Sequence, residues 1–108
     1  MTGVLTPEQA LAYLRELNPS IEAAAILDKG WGSWVGDGGL AAQAAALLSG
    51  CQDADGRAQA TRSEPGGGHL LAARESGRAL VARVGGGGIV ALAAEDARAA
   101  LAAVRERC

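Results

Sequence analysis

The sequence predicts one α+β domain, an antiparallel-dominated sheet with helices on its faces. Three observations predict it. Segments of helical periodicity alternate with short apolar runs bounded by glycine, and period is what separates helix from strand. The last strand-like runs follow one another over links too short for a crossover, which makes neighbours antiparallel. At 108 residues the chain suits a single domain over residues 1–108, since one domain takes about 100–150 residues.

Residues 7–17 read as the first helix. Thr6 caps it, Pro7 takes the first helical position and Gln9 completes a capping box. Ala10, Tyr13, Leu14 and Leu17 then share one face. Asn18 before Pro19 ends the helix, because a residue preceding proline avoids the helical region. Residues 21–27 are short, apolar and bounded by turn residues, which predicts a buried strand. Asp28, Lys29 and Gly30 form a turn, and residues 31–35 answer as a second strand.

Gly36 breaks that strand and Asp37 caps a helix over residues 38–50. Only Gln43 and Ser49 are polar there. A helix apolar all round is buried all round, and a domain this small has little interior to surround it. One face is therefore expected on the chain's own sheet and the other on a second molecule. Residues 52–68 are polar and glycine-rich and read as a loop, with 58–63 able to add a short strand. Residues 69–74, 78–84 and 89–92 read as three strands. A last helix begins near Glu95 and Asp96, with Ala97, Ala100, Leu101 and Val104 on one face.

Composition limits what this domain can do. Alanine supplies 25 residues and glycine 16, leaving 26 larger apolar side chains for a core. A lone monomer is expected to be marginal, and burial against a partner to stabilise it. A net charge of −2 with no basic run argues against nucleic acid. No uncharged apolar stretch reaches about 18 residues, so no membrane insertion is expected. Residues 1–6 show no signal-peptide pattern. Cys51 and Cys108 are too few and too far apart for a disulfide scaffold or a zinc site, which points to the cytoplasm. The abundance of Ala, Gly and Arg matches the coding bias of a GC-rich bacterium.

Chemistry-bearing patterns are few. Gly85 to Gly88 leads into Ile89, and Gly66 to Gly68 into His69, so neither cluster carries the Lys-Ser/Thr of a phosphate loop. His69 is the one histidine, and no Gly-x-Ser-x-Gly elbow accompanies it. An exposed strand-start residue is the better reading for it. No catalytic residue, cofactor or metal is expected. Cys51 reads as a small buried residue or a redox-sensitive thiol, and Cys108 as a terminal thiol. Trp31 and Trp34 divide between core packing and contact with a partner, since exposed tryptophans anchor interfaces. Arg74, Arg78 and Arg83 read as a solvated strand face or a basic ladder across neighbouring strands.

The order α-β-β-α-β-β-β-α, over nearly the whole chain, resembles the roadblock/LC7 (dynein light chain roadblock-type) domain. Ile21 through Gly30 are similar to that family's first strand and Asp-x-Gly turn, and Asp37 through Leu48 to its central helix. The run from His69 to Leu92 and the helix from Asp96 complete the pattern. The resemblance implies a five-stranded, profilin- or longin-like antiparallel sheet of order 2-1-5-4-3. It implies a homodimer in which the third strand, taken as 69–74, and the central helix meet their symmetry mates. Leu40, Ala41, Ala44, Ala45, Leu48, Leu70 and Ala72 would then form the interface. It implies a non-enzymatic adaptor or regulator of a small Ras-like GTPase or signalling complex. The alternative is a small-molecule sensor, which a pocket lined by Trp31 or Trp34 would favour.

Overall fold

The computed structural model describes residues 5–28, 33–48, 57–75 and 78–103. The elements run α1 (Pro7–Leu17), β1 (Ile21–Asp28), β2 (Ser33–Gly36), α2 (Gly38–Leu48), β3 (Arg57–Ser63), β4 (His69–Glu75), β5 (Arg78–Val84) and α3 (Val90–Ala103). All strand pairs are antiparallel, in the order β2-β1-β5-β4-β3. The turn at Lys29 and Gly30, Trp31, Cys51, the turn at Ser76 and Gly77, and Cys108 lie outside the described residues.

Local chemistry sets the helix starts. The Thr6 hydroxyl accepts from the Gln9 amide at 3.2 Å and the Gln9 side chain accepts from the Thr6 amide at 3.0 Å. This reciprocal pair satisfies two amides that have no partner inside α1. Asp37 Oδ1 accepts from the amides of Gly39 and Leu40, at 2.9 and 3.2 Å, and so caps α2. Just before it, Gly36 has φ +108, and a Cβ there would lie 2.5 Å from the carbonyl oxygen of Ala24. The chain can leave β2 for α2 at this point only through a glycine.

Alternation along the strands feeds two cores. Ile26, Leu71, Leu80, Ala82 and Val84 face one side of the sheet, where Leu14 of α1 and Ala93, Ala97, Ala100 and Leu101 of α3 cover them. Ala25, Leu70, Ala72, Ala79 and Val81 face the other, under Leu40, Ala44 and Leu48 of α2. A β-bulge between Ile21 and Ala23 inserts Glu22 as an extra residue opposite β5. Ile21 and Ala24 therefore share a core face although they are three residues apart.

Two sequence-based expectations need correction. Residues 57–63, read as loop with 58–63 able to add a short strand, form a seven-residue strand, paired with β4 from Arg57↔Glu75 to Ser63↔His69. Ala60 faces the α2 core while Thr61 and Ser63 are exposed. A polar edge strand with a small residue inward carries little apolar signal. Residues 89–92 are not a strand. Gly88 donates to the Gly85 carbonyl at 2.9 Å, the chain reverses, and Ala93 donates to the Ile89 carbonyl at 3.0 Å as α3 begins. Both edges of β5 are already taken, by β1 and β4, so no slot beside it remains. The strand at 69–75 is thus fourth in the chain, and the third is β3.

The backbone at Gly36 gives a direct test. Gly36→Ala should cost at least about 2 kcal/mol, from positive φ plus a backbone collision. That lowers the melting temperature by about 8 °C or more for a domain this size. Gly38→Ala, where a Cβ meets nothing within 4 Å, should be neutral or slightly stabilising. Equal melting of the two variants would contradict the geometry of the β2–α2 junction.

Candidate functional site

The central helix has a definite inner and outer side. Leu40, Ala41, Ala44 and Leu48 are buried against the chain's own sheet. Gly39, Ala42 and Ala46 are exposed, while Gln43 and Leu47 are half-buried along one flank. No residue of Gly38–Leu48 is charged. Four expected interface residues of α2, Leu40, Ala41, Ala44 and Leu48, therefore sit inside the single chain. The side chain of Ala45 lies outside the described residues. Leu70 and Ala72 are also interior, at 0% exposure beneath α2. Among the residues of α2 whose burial is described, Gly38, Gly39, Ala42 and Ala46 are the exposed ones.

That surface continues to a sheet edge. β3 pairs with β4 on one side, and among the described residues no strand pairs with its other side. Gln43 bridges helix and edge, its Oε1 accepting from Arg62 Nη2 at 2.9 Å. On the opposite face of β3, Gln59 Oε1 accepts from Arg98 of α3. The edge strand is thus held from both layers, and an edge that no described strand covers is a template for pairing with another chain.

A second feature sits at the end of the sheet. A depression of about 430 Å³ lies between the β3–β4 turn and the start of the β5–α3 turn, lined by Glu22, Glu64, Arg83, Gly68 and Gly85 among others. Arg83 Nε donates to Glu64 Oε1 at 3.0 Å. Both partners keep access to water, so the pair is worth at most about 1 kcal/mol. A Cβ on Gly68 would lie 2.8 Å from the Val84 carbonyl oxygen, and one on Gly85 3.1 Å from Glu22 Oε2. Glycine thus lets the β3–β4 turn approach the end of β5 and lets Glu22 approach the start of the β5–α3 turn.

The remaining sequence candidates fall elsewhere. Trp34 is half-buried and packs against the core under α2. His69 is half-buried and opens β4, opposite Ser63 and Val84. Arg74 and Arg78 fall on opposite faces of the sheet by strand alternation, and Arg83 lies at the far end of β5 from Arg78, so the three make no ladder. No group of three or more His, Cys, Asp or Glu among the described residues is placed to hold a metal ion. No helix among them is long and apolar enough to cross a membrane.

The inner and outer sides of α2 can be told apart by one substitution. Ala44→Glu places a carboxylate at a position with 0% exposure. It should destabilise the fold by about 3 kcal/mol or more, because a buried charge without a partner is left behind. Thermal unfolding followed by circular dichroism measures this. A wild-type melting temperature would contradict the placement of α2 on the sheet.

Comparison with family models, with curated proteins and with solved structures finds no match for this chain.

Proposed function

We propose that this protein is a non-enzymatic homodimeric adaptor that works by protein–protein contact, as the roadblock/LC7 domains it resembles do. One observation carries the reading. An uncharged helix presents Gly39, Ala42 and Ala46 outward beside the open edge of β3. Small outward residues let a second helix approach closely, and an open edge accepts a second strand in a two-fold arrangement. Leu47, half-buried on the same helix, would lose its remaining exposure there. The strand order β2-β1-β5-β4-β3 is the one that the resemblance implies, which supports the reading. The interacting strand is then β3 rather than residues 69–74.

In this reading the dimer is the unit that docks a small Ras-like GTPase or a signalling complex, in the cytoplasm of a bacterium. The chain supplies no chemistry of its own. The glycine-walled depression is the observation that favours the second reading, a small-molecule sensor. Its described lining is Glu22, the half-buried Glu64–Arg83 pair, Pro65 and glycine backbone, and Trp34 belongs to the core under α2 instead. The adaptor reading therefore stands first.

Light scattering at micromolar concentration should give about twice 10.8 kDa. Ala42→Glu and Ala46→Glu put a charge on the outward side. Each should return the mass to that of one chain while helical content is kept. A wild-type mass of one chain, or a dimer untouched by both substitutions, would contradict the proposed interface. Purified protein incubated with GTP, ATP and chromogenic esters should give no turnover above buffer. Turnover that survives repurification and disappears on substitution of His69 would contradict the non-enzymatic reading.

A further inference from the structure

The layer opposite α2 carries an unexplained apolar surface. The exposed large hydrophobic residues among those described are Tyr13 at 38%, Leu17 at 42%, Ile89 at 62% and Leu92 at 52%. Tyr13 and Leu17 belong to α1, Leu92 to α3, and Ile89 immediately precedes α3. The two helices run antiparallel. Leu5, just before α1, donates to the Ala103 carbonyl at the end of α3, while Ser20, just after α1, accepts from Gly85 shortly before α3. The C-terminal end of α1 therefore lies beside the N-terminal end of α3.

Helical phase places Tyr13, Leu17 and Leu92 on the flanks where α1 and α3 adjoin, with Ile89 just ahead of α3. On α1, Leu11 and Arg15 line a depression with Gly36 and Asp37, so that flank looks toward β2. Tyr13 lies about 200° round the helix from Leu11, and Leu17 about 240°, on the flank toward α3. On α3, Arg98 reaches Gln59 of β3, so that flank looks away from α1. Leu92 and Asp96 lie about 120° and 160° from Arg98, on the side toward α1. Ile89 precedes them there. Among the described residues of the two helices, Glu16 and Asp96 are the charged ones on the groove side, whereas Arg15 and Arg98 look away from it.

An exposed apolar cluster with a polar rim marks a contact surface. A groove between two helices takes the apolar face of a third. Its acidic rim selects the charge of the visitor. We propose that the α1–α3 groove docks an amphipathic helix of a partner protein whose apolar side is flanked by lysine or arginine. The groove lies on the layer opposite α2, so a dimer built on α2 and β3 leaves it open. Docking here does not require that dimer.

The test uses fluorescence anisotropy with two labelled peptides of about five helical turns. Both carry leucine on one face, one with lysine flanks and the other with glutamate. The full-length protein should bind the lysine peptide at least about tenfold more tightly at low salt, and the gap should narrow as salt rises. Leu17→Ser combined with Leu92→Ser changes exposed positions only, and circular dichroism checks that the fold is kept. This pair should weaken binding of the lysine peptide at least about tenfold. Glu16→Lys combined with Asp96→Lys should reverse the preference. Equal affinity for the two peptides, no binding of the lysine peptide, or binding that survives the serine pair overturns the proposal. So does sedimentation in which the serine pair abolishes self-association, since the occupant is then a second copy.

Discussion

Alanine sets how closely the layers of this domain approach. Of the 24 buried hydrophobic residues among those described, 13 are alanine. Helices laid on a sheet through alanine can come near enough for the few large side chains to interlock. Leu14, Ile26, Leu40, Leu70, Leu71, Leu80 and Leu101, all buried, therefore supply most of the apolar area removed from water. A buried leucine contributes about 1.5–3 kcal/mol and an alanine far less. Stability is thus concentrated in few positions, and truncating any of these leucines would cost about 2–5 kcal/mol. The same closeness explains why glycine stands at the crossing points. Gly88 has no room for a Cβ, which would lie 2.5 Å from Val84 Cγ1 and 2.8 Å from Ser20 Cβ.

Thin layers leave little interior to spare for function. Successive residues of β4 and β5 alternate between the two cores, so both sheet faces are sealed by helices. Among the described residues, the outer side of each helix and the two sheet edges lie outside these cores. These surfaces differ in chemistry. The α2 side is small, uncharged and next to a strand edge, which suits a second copy of the same chain. The α1–α3 side carries large exposed side chains between carboxylates, which suits a different molecule. The proposed adaptor role would use two such surfaces, and the layering keeps them on opposite sides of the sheet.

Much of the fold was legible in the sequence where local chemistry is unambiguous. Thr6, Pro7 and Gln9 mark the start of α1, Asp37 the start of α2, and the apolar run of 78–84 is β5. What escaped was weakly written. In β3 the inward Ala60 and the polar outward residues produce no apolar stripe. At 89–92 four apolar residues fit a strand as well as the first turn of a helix, and only the occupied edges of β5 decide. Leu40, Ala41, Ala44 and Leu48, expected at an interface, pack on the chain's own sheet, a direction that hydrophobicity alone, which gives that helix no phase, does not reveal. Size does give one. Leu40, Leu47 and Leu48 fall within a single stripe, with Ala42 and Ala46 across from it. Trp34 was legible as an outlier among so few aromatics but not in its direction, which follows from its register opposite Leu27.

In the proposed dimer the side of β3 away from β4 is covered by the same strand of a second chain, and amide hydrogen exchange over Arg57–Ser63 reads that pairing. In an edge strand, every second amide points away from the sheet. If two chains pair there, both sets of amides should exchange slowly at high protein concentration, and the outward set should become fast on dilution. Fast exchange of the outward amides at every concentration, with the inward set still protected, would contradict the account.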